Sequence, residues 1–226
     1  MTDRMVNDDD LRLFLLMHRA IRGDLARLPR AVATLVPGDL ARIEAIGQWL
    51  GFIERSIEHH HRGEDEWVYP RLSERDPSFV PAHHALERDH QALDPALAAV
   101  RTALAALAQS ARFERDRDAL VARLDALDAA MRRHLDAEEQ AVIPRMKKHV
   151  RHAEIAEFER EGARNTSVRD LARVLPWVLS FADARELAQV DAMLPWPVKL
   201  LYRWSWKKGY ERFSAALHAP AMKEAA

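Results

Sequence analysis

The sequence predicts an all-α protein, an up-down-up-down four-helix bundle with additional C-terminal helices. Glycine is scarce, with 7 among 226 residues, and few stretches alternate apolar and polar residues as strands do. Apolar residues instead recur at spacings of three and four along four long stretches, which is the period of an amphipathic helix. Short turns join these stretches, and short connections make successive helices antiparallel neighbours.

The first two helices are separated by a turn at Pro37-Gly38. The first begins near the aspartates at 8–10, whose carboxylates suit a helix N-terminus, and its apolar line includes His18. The second has an inward stripe that includes His60 and Glu64. Prolines at positions 70 and 77 are expected to end this second helix.

The third and fourth helices repeat the same spacing. The third has His90 in its apolar line, and the fourth has His134 and Glu138 in register with its leucines. Each of the two also contains a proline. Pro95 predicts a kink or break in the third helix, and Pro144 predicts a weakening of the fourth.

Residues 1–150 are therefore expected to form the bundle, and residues 151–226 a C-terminal helical extension that packs on it or mediates a dimer or partner contact. The extension is rich in aromatic and basic residues between 196 and 213. A basic aromatic helix can lie on a membrane or bind a partner. Prolines interrupt any single clean amphipathic face, which favours packing back over the bundle. A homodimer through the aromatic segment is the next alternative.

Composition excludes several classes of protein. The chain has no cysteine, which rules out disulfides, thiolate zinc sites and iron–sulfur clusters. Its net charge of −1 gives no basic excess of the kind that indicates nucleic-acid binding. No apolar run of about 18 residues predicts a transmembrane helix. The N-terminal residues lack the features of a signal peptide, so a cytoplasmic protein is expected.

Six side chains stand where a bundle core normally has apolar residues. The pairs His60/Glu64 and His134/Glu138 each have a spacing of four, which places an imidazole and a carboxylate on one helix face. His18 and His90 lie on the other two helices. With alternating helix directions, all four histidines fall near one end of the bundle at a similar level. Such a set from four helices is typical of a site for two metal ions.

Burial of the two glutamates is the strongest argument for a metal. An ionised carboxylate in an apolar core is costly unless a cation meets it, and no arginine lies on the inward stripes at that depth. A buried polar network is the alternative. We expect His18 and His60 on one ion, His90 and His134 on the other, and Glu64 and Glu138 as bridges. Nitrogen and oxygen donors favour two iron ions with an oxo or hydroxo bridge, with manganese or zinc as alternatives.

These residues resemble a known family. The order His … His-x-x-x-Glu … His … His-x-x-x-Glu is similar to the hemerythrin-like, or HHE cation-binding, domain, over about residues 8–150. The strings HHHRGEDEWVYPRL, ERDHQAL and HLDAEEQAVIPRM carry the resemblance. It implies a four-helix bundle with a non-haem di-iron centre, in which the four histidines are terminal ligands and the two glutamates are bridges.

The sequence also departs from the oxygen-carrying hemerythrins. Those proteins have a second histidine four residues from the first on the third helix, whereas here Leu86 and Asp94 flank His90 at that spacing. Their fourth helix pairs histidine with aspartate one residue further on, where this chain has Glu138 at i+4. One nitrogen ligand is therefore expected to be missing. That argues against reversible oxygen storage and favours peroxide or redox turnover, or sensing.

Three nearby residues are candidates for further ligands or for groups that support the ligands. Glu87 has the Glu-x-x-His spacing to His90 that ferritin-like di-iron sites use, although it falls beside the inward stripe. His83 lies about 10 Å along the helix from His90 and is expected to border the site. His61 points about 100° away from His60 and is expected to support the ligands or be exposed.

Two functions follow from this site. The first is a di-iron protein that binds O2 or peroxide, with catalase-like peroxide turnover as its sharpest form. The alternative is a non-catalytic module that senses iron or oxygen, or only binds metal, in which occupancy of the site changes how the C-terminal extension docks. The sequence leaves open whether the protein is an enzyme.

Overall fold

The structure, a computed structural model, describes residues 4–217, without the side chains of 163–165 and 216. This part of the chain is helical throughout, apart from turns and an isolated backbone bridge between Met5 and Arg151. The α-helices are α1 (Arg12–Ala33), α2 (Leu40–Gly63), α3 (Tyr69–Arg75), α4 (Val80–Leu107), α5 (Phe113–His149), α6 (His152–Asn165), α7 (Val168–Leu179), α8 (Ala184–Met193), α9 (Trp196–Leu201) and α10 (Lys207–Ser214).

Four of these helices form the predicted all-α bundle. Helix α1 packs on α5, α5 on α4, α4 on α2, and α2 on α1, which closes a ring around one interior. Most of that interior is a large apolar cluster that includes the fully buried Leu28, Ile53, Leu104 and Leu124. A smaller apolar cluster, with Tyr69 and Phe79, lies at the other end. The histidines and glutamates of the sequence pattern lie between these two clusters.

The two long helices continue through their prolines. Helix α4 extends from Val80 to Leu107 with Pro95 inside it, so the expectation of a break there is wrong. Helix α5 likewise continues past Pro144 to His149. A proline removes one backbone hydrogen bond and crowds one carbonyl, whereas packing of the apolar face stabilises the whole length of a helix. In α4 that face includes Leu93 and Leu97, buried on either side of the proline.

The second bundle helix does not end at Pro70 but changes its winding. A π-turn spans Glu64–Val68, and α3 follows without a gap. In an α-helix the ring of Pro70 would clash with the carbonyl of residue 66, and the wider turn accommodates it. The amide of Tyr69 donates to the carbonyl of Glu64, five residues back. A π-turn brings residues at this spacing over one another, so Tyr69 returns to the face that carries Glu64.

The C-terminal extension packs against the bundle through α7 and α10. Helix α7 contacts α1, and α10 contacts α7 and α2. Trp177 on α7 is fully buried, and its indole Nε1 donates to Asp24 Oδ2 at 2.6 Å. Gly23 on α1 leaves room for Phe181, just after α7, because a Cβ at that position would overlap the ring. Within residues 4–217, no helix combines the length and the apolarity that a membrane span needs.

Candidate metal centre

Seven side chains from the four bundle helices converge in two groups of potential metal ligands. Within each group the donor atoms lie within 4.8 Å of one another, and every member is buried or nearly so. The members come from α1, α2 with its π-turn, α4 and α5. The first group is His18, His60, Glu64 and Glu138, and the second group is His61, His90 and His134.

In the first group, two imidazoles face two carboxylates. His60 Nε2 lies 3.0 Å from Glu64 Oε1, and His18 Nε2 lies 3.4 Å from Glu138 Oε2. His18 Nε2 is also 3.8 Å from Glu64 Oε1. The spacing of four between His60 and Glu64 gives this geometry directly, because i and i+4 share a helix face. Donors at these separations can share one cation.

In the second group, three imidazoles from three helices meet. His61 stacks on His90 with ring centroids 3.9 Å apart and an interplanar angle of 8°. His90 Nε2 lies 3.1 Å from His134 Nε2. Two nitrogens bound at about 2.1 Å and at right angles to each other would be about 3 Å apart. The observed separation therefore matches two adjacent ligands of one ion.

His61 is the main difference from the sequence analysis, which placed it beside the site. It is buried, and it brings the number of converging histidines to five. Helix α2 lies between α1 and α4, so its inward face is an arc rather than a line. His60 points toward α1 and His61 toward α4, and the angle of about 100° between adjacent residues directs them to the two groups. The structure therefore has five histidines among the candidate ligands, where the sequence analysis counted four.

The two glutamates lie between the groups. Glu64 Oε1 faces His18 and His60, while its Oε2 lies 3.6 Å from His90 Nε2 in the other group. Glu138 Oε2 lies 3.4 Å from His18 Nε2 and 3.9 Å from His134 Nε2. The remaining oxygen of Glu138 accepts a hydrogen bond from the Tyr69 hydroxyl at 2.9 Å. Both glutamates therefore have a carboxylate oxygen within 4 Å of a histidine nitrogen in each group.

Carboxylates outside the cluster face the outward nitrogens of four histidines and form hydrogen bonds with three of them, while His134 Nδ1 has no hydrogen-bond partner among the described residues. His18 Nδ1 lies 2.9 Å from Glu139, His61 Nδ1 2.7 Å from Asp94, and His90 Nδ1 2.9 Å from Asp65. His134 Nδ1 lies 3.5 Å from Asp89. A carboxylate partner assigns the proton to Nδ1 and leaves the Nε2 lone pair directed inward. Metal-binding histidines almost always have such a partner.

The inward atoms lack partners of their own. Six buried donor atoms of the cluster have no hydrogen-bond partner in the described structure: Nε2 of His18, His60 and His61, both oxygens of Glu64, and Oε2 of Glu138. His90 Nε2 also faces His134 Nε2 at 3.1 Å, where the two nitrogens can share either a proton or a cation. Unsatisfied polar atoms at this density are costly in a protein core, and a bound cation satisfies all of them together. The donor set thus fits a metal centre.

Electrostatics within the cluster follow from burial and from the facing charges. Burial, together with His90 and His61, lowers the pKa of His134 to about 3. Burial also lowers the pKa of His60. Burial and the charge of Glu64 raise the pKa of the Glu138 carboxyl. For Glu64, the facing His60 and His18 outweigh burial and lower its pKa. His60 and His134 are therefore held neutral, which is the form that binds metal.

Two of the other named candidates lie outside the cluster. Glu87 is about half-exposed, lies 3.8 Å from His84 and belongs to neither ligand group. His83 contacts Ser73 Oγ at 2.8 Å and packs 5.5 Å from the Tyr69 ring, so it borders the residue that supports Glu138. Trp67 stacks on Phe158 of α6 rather than on the cluster.

Tyr69 and three of the outer carboxylates had no place in the sequence analysis, and the fourth, Asp94, appeared there only as the residue four positions after His90. A signal for the carboxylates exists, because Asp65, Asp89 and Glu139 each lie next to a cluster residue in the sequence. An acid adjacent to a ligand on one helix points toward the neighbouring helix and its histidine. Tyr69 gave no such signal, since only the π-turn brings it back to the ligand face.

One side of the cluster comes closest to solvent. The His60 side chain is 10% exposed, whereas the other cluster side chains are at most 3% exposed. Phe14 of α1 lies beside it, with ring centroids 5.4 Å from His60 and 4.3 Å from His18. A small molecule would therefore approach the first group rather than the second.

A comparison with known families agrees with this arrangement. The model of the hemerythrin HHE cation binding domain matches residues 9–146 and, in a second overlapping match, 81–164. The matched region contains all seven cluster residues. No curated protein and no solved structure is significantly similar to the chain.

Proposed function

This chain belongs to the hemerythrin HHE cation-binding family, and we propose that it is a non-haem di-iron protein that binds O2 or peroxide. In this proposal His18 and His60 bind one iron, and His61, His90 and His134 bind the other. Glu64 and Glu138 contribute to both. The earlier six-residue ligand set is thus extended by His61. The observation that carries the proposal is that six inward donor atoms, from three histidines and both glutamates, are buried without hydrogen-bond partners in the described structure.

The donor types favour iron. Imidazole and carboxylate donors suit iron, manganese and zinc, and the chain offers no thiolate. Iron is proposed over the other two because histidine and carboxylate ligands with an open position are typical of non-haem iron that reacts with oxygen. Manganese and zinc are the alternatives.

The asymmetry of the two groups suggests where a small ligand binds. The first group offers two imidazoles and two shared carboxylates, while the second offers three imidazoles and the same carboxylates. An octahedral ion therefore has more free positions in the first group, which is also the group beside the exposed edge of His60. A bound iron pair would supply electrons to O2 or peroxide. In the catalase-like form, one peroxide is reduced to two waters while a second is oxidised to O2.

Metal analysis and a peroxide assay test this proposal together. The protein is loaded anaerobically with Fe(II), and we expect about two irons per chain and, after oxidation, near-ultraviolet charge-transfer absorption. Peroxide should then evolve O2. The variant His134→Ala should lose iron and O2 evolution, whereas His84→Ala, an exposed histidine outside the cluster, should retain both. One colourless zinc per chain would contradict the di-iron site, and two irons without O2 evolution would remove only the catalase-like activity.

A specific contact favours sensing as a second candidate function. Helix α1 carries both His18 and Asp24, and Asp24 anchors the C-terminal extension through Trp177. Metal or ligand binding that shifts α1 would therefore act on the extension. A change in tryptophan fluorescence on iron or O2 binding, absent in Trp177→Phe and accompanied by no peroxide turnover, would favour sensing.

A cytoplasmic location is also part of the proposal, and cell fractionation tests it.

A further inference from the structure

The segment from Met193 to Trp204 concentrates the exposed apolar surface of the described chain. Trp196 is 73% exposed and Trp204 is 77% exposed, while the buried tryptophans Trp49 and Trp177 are fully enclosed. Met193, Leu200 and Leu201 are also exposed. The other large exposed apolar residues within 4–217 are scattered singly along the chain. Contiguous apolar surface of this kind marks an interaction site.

Four of these exposed residues, Trp196, Leu200, Leu201 and Trp204, lie on the helix formed by α9, a second π-turn at Tyr202–Trp206, and α10, while Met193 is the last residue of α8. Trp196, Leu200 and Trp204 are spaced by four, so they lie along one stripe. The opposite side holds Trp206 and Tyr210, which are buried, and Tyr210 packs on Trp49 of α2 at 5.8 Å. The helix is therefore anchored to the bundle by one side and presents the other to solvent. We call this exposed surface the tryptophan face. It consists of Met193, Trp196, Leu200, Leu201 and Trp204.

Positive charge accompanies the tryptophan face. Five basic residues lie between 199 and 212, against Asp191 and Glu211. Arg203 and Lys199 share Asp191, at 3.0 and 3.8 Å. Lys207 and Lys208 are exposed and form no ion pair with any described residue. The combination is a tryptophan and leucine surface next to uncompensated cations.

We propose that the tryptophan face docks on an anionic lipid bilayer as a peripheral contact. Tryptophan and leucine on one side of a helix, with lysine and arginine beside them, suit the boundary between headgroups and acyl chains. The free lysines complement the negative surface potential of lipids such as phosphatidylserine. Because the opposite side of the helix remains packed on α2 and α7, docking needs no unfolding of the extension.

A second copy of the chain fits this surface less well. A two-fold contact places the same patch on both subunits, so the cations of one copy would approach those of the other. The two acids of this segment cannot neutralise both sets. An anionic bilayer supplies the opposite charge without that repulsion. Self-association is therefore treated as an outcome of the test.

Vesicle binding tests the proposal on the iron-loaded, full-length protein. The probes are vesicles of phosphatidylcholine alone and of phosphatidylcholine with about one quarter phosphatidylserine. We expect cosedimentation and a blue shift of tryptophan fluorescence with the second kind only, both weakened by salt. Lys207→Ala and Lys208→Ala should each reduce affinity about fivefold. Trp196→Ala with Trp204→Ala should reduce it by roughly tenfold or more.

Controls separate the surface from general effects. Leu40→Ala and Lys148→Ala alter an exposed apolar residue and an exposed cation elsewhere, and they should leave binding unchanged. Iron content and helical circular dichroism should be the same in all variants. Absence of binding at low salt, or binding that the tryptophan double variant retains, would overturn the proposal. A dimer in sedimentation velocity that the double variant abolishes, without vesicle binding, would also overturn it and assign the face to self-association.

Discussion

The apolar core of this bundle and the histidine and glutamate cluster lie on the same helices, but one contains apolar side chains and the other contains ionisable ones. Away from the site, the core positions of α1, α2, α4 and α5 hold leucine, isoleucine and valine, and the extension adds Trp177 to the same cluster. At the level of His18 the same stripes hold four histidines and two glutamates, and His61 joins them from beside the stripe of α2. The first region stabilises the fold by burying apolar surface. The second buries polar atoms, several of which have no hydrogen-bond partner among the described residues.

This difference shows that stability and function are separated along one set of helices. Ionisable groups in a core cost free energy unless they are paired. The apolar clusters on either side of the site offset that cost and hold the four helices at a fixed distance. The site region is therefore expected to depend on metal, whereas the apolar region is expected to depend on packing.

The largest expected effect is loss of packing in the apolar region. Trp177→Ala removes a fully buried indole and leaves Asp24 without its 2.6 Å donor. We expect the free energy of unfolding to fall by about 3 to 5 kcal/mol, measured by urea unfolding. The exposed Trp204→Ala is the matched control and should change it by less than about 0.5 kcal/mol. An equal effect of the two substitutions would show that the extension does not contribute to the core.

Metal removal tests the site region. At iron concentrations about a thousandfold above the dissociation constant, binding should stabilise the fold by about 4 kcal/mol. Chelation should remove this stabilisation and speed amide hydrogen exchange around His60 and His134. Exchange near Leu104 and Leu124 should change little. The His134→Ala protein should respond much less to iron. No shift in the unfolding midpoint on chelation would show that the cluster is a polar network rather than a metal site.

The periodicity of the sequence predicted much of this comparison. Apolar residues spaced by three and four predicted the bundle helices. The spacing of four in His60/Glu64 and His134/Glu138 predicted that the second and fourth bundle helices each contribute two side chains to the site. The helix lengths placed His18 and His90 at the same level. These features depend on neighbours within one helix, which a sequence shows directly.

The remaining features depend on neighbours between helices. His61 lies off the stripe of His60, and only the position of α2 between α1 and α4 makes it part of the second group. The pairing of Trp177 with Asp24 joins residues more than 150 positions apart. Pro95 suggested a kink or break and Pro144 a weakening, but both helices continue, because packing along the whole helix outweighs the loss of one hydrogen bond.

The buried carboxyl group of Asp24 makes the stability of the apolar region depend on pH. Burial raises the pKa of this carboxyl from 3.8 to about 7, partly offset by Arg27 and Trp177. The folded state therefore retains a proton that the unfolded state releases, and stability falls as the pH rises from about 4 to about 7. The free energy of unfolding of Asp24→Asn, relative to that of wild type, should therefore be roughly 2 kcal/mol higher at about pH 8 than at about pH 5. Urea unfolding at both pH values measures this, and a difference independent of pH would contradict it.

The smallest expected effect concerns the contact between Tyr69 and the site. Tyr69→Phe removes the 2.9 Å hydrogen bond to Glu138 Oε1 and leaves a buried carboxylate oxygen without a donor. Hydrogen bonds to charged groups contribute about 1.5 to 3 kcal/mol, and we expect a loss near the lower end because bound metal also neutralises Glu138. Tyr202→Phe on the extension is the matched control. If Tyr69 positions Glu138, the variant should keep two irons but shift their absorption spectrum. An unchanged spectrum together with reduced stability would show that the hydroxyl serves packing of the core and not the geometry of the metal centre.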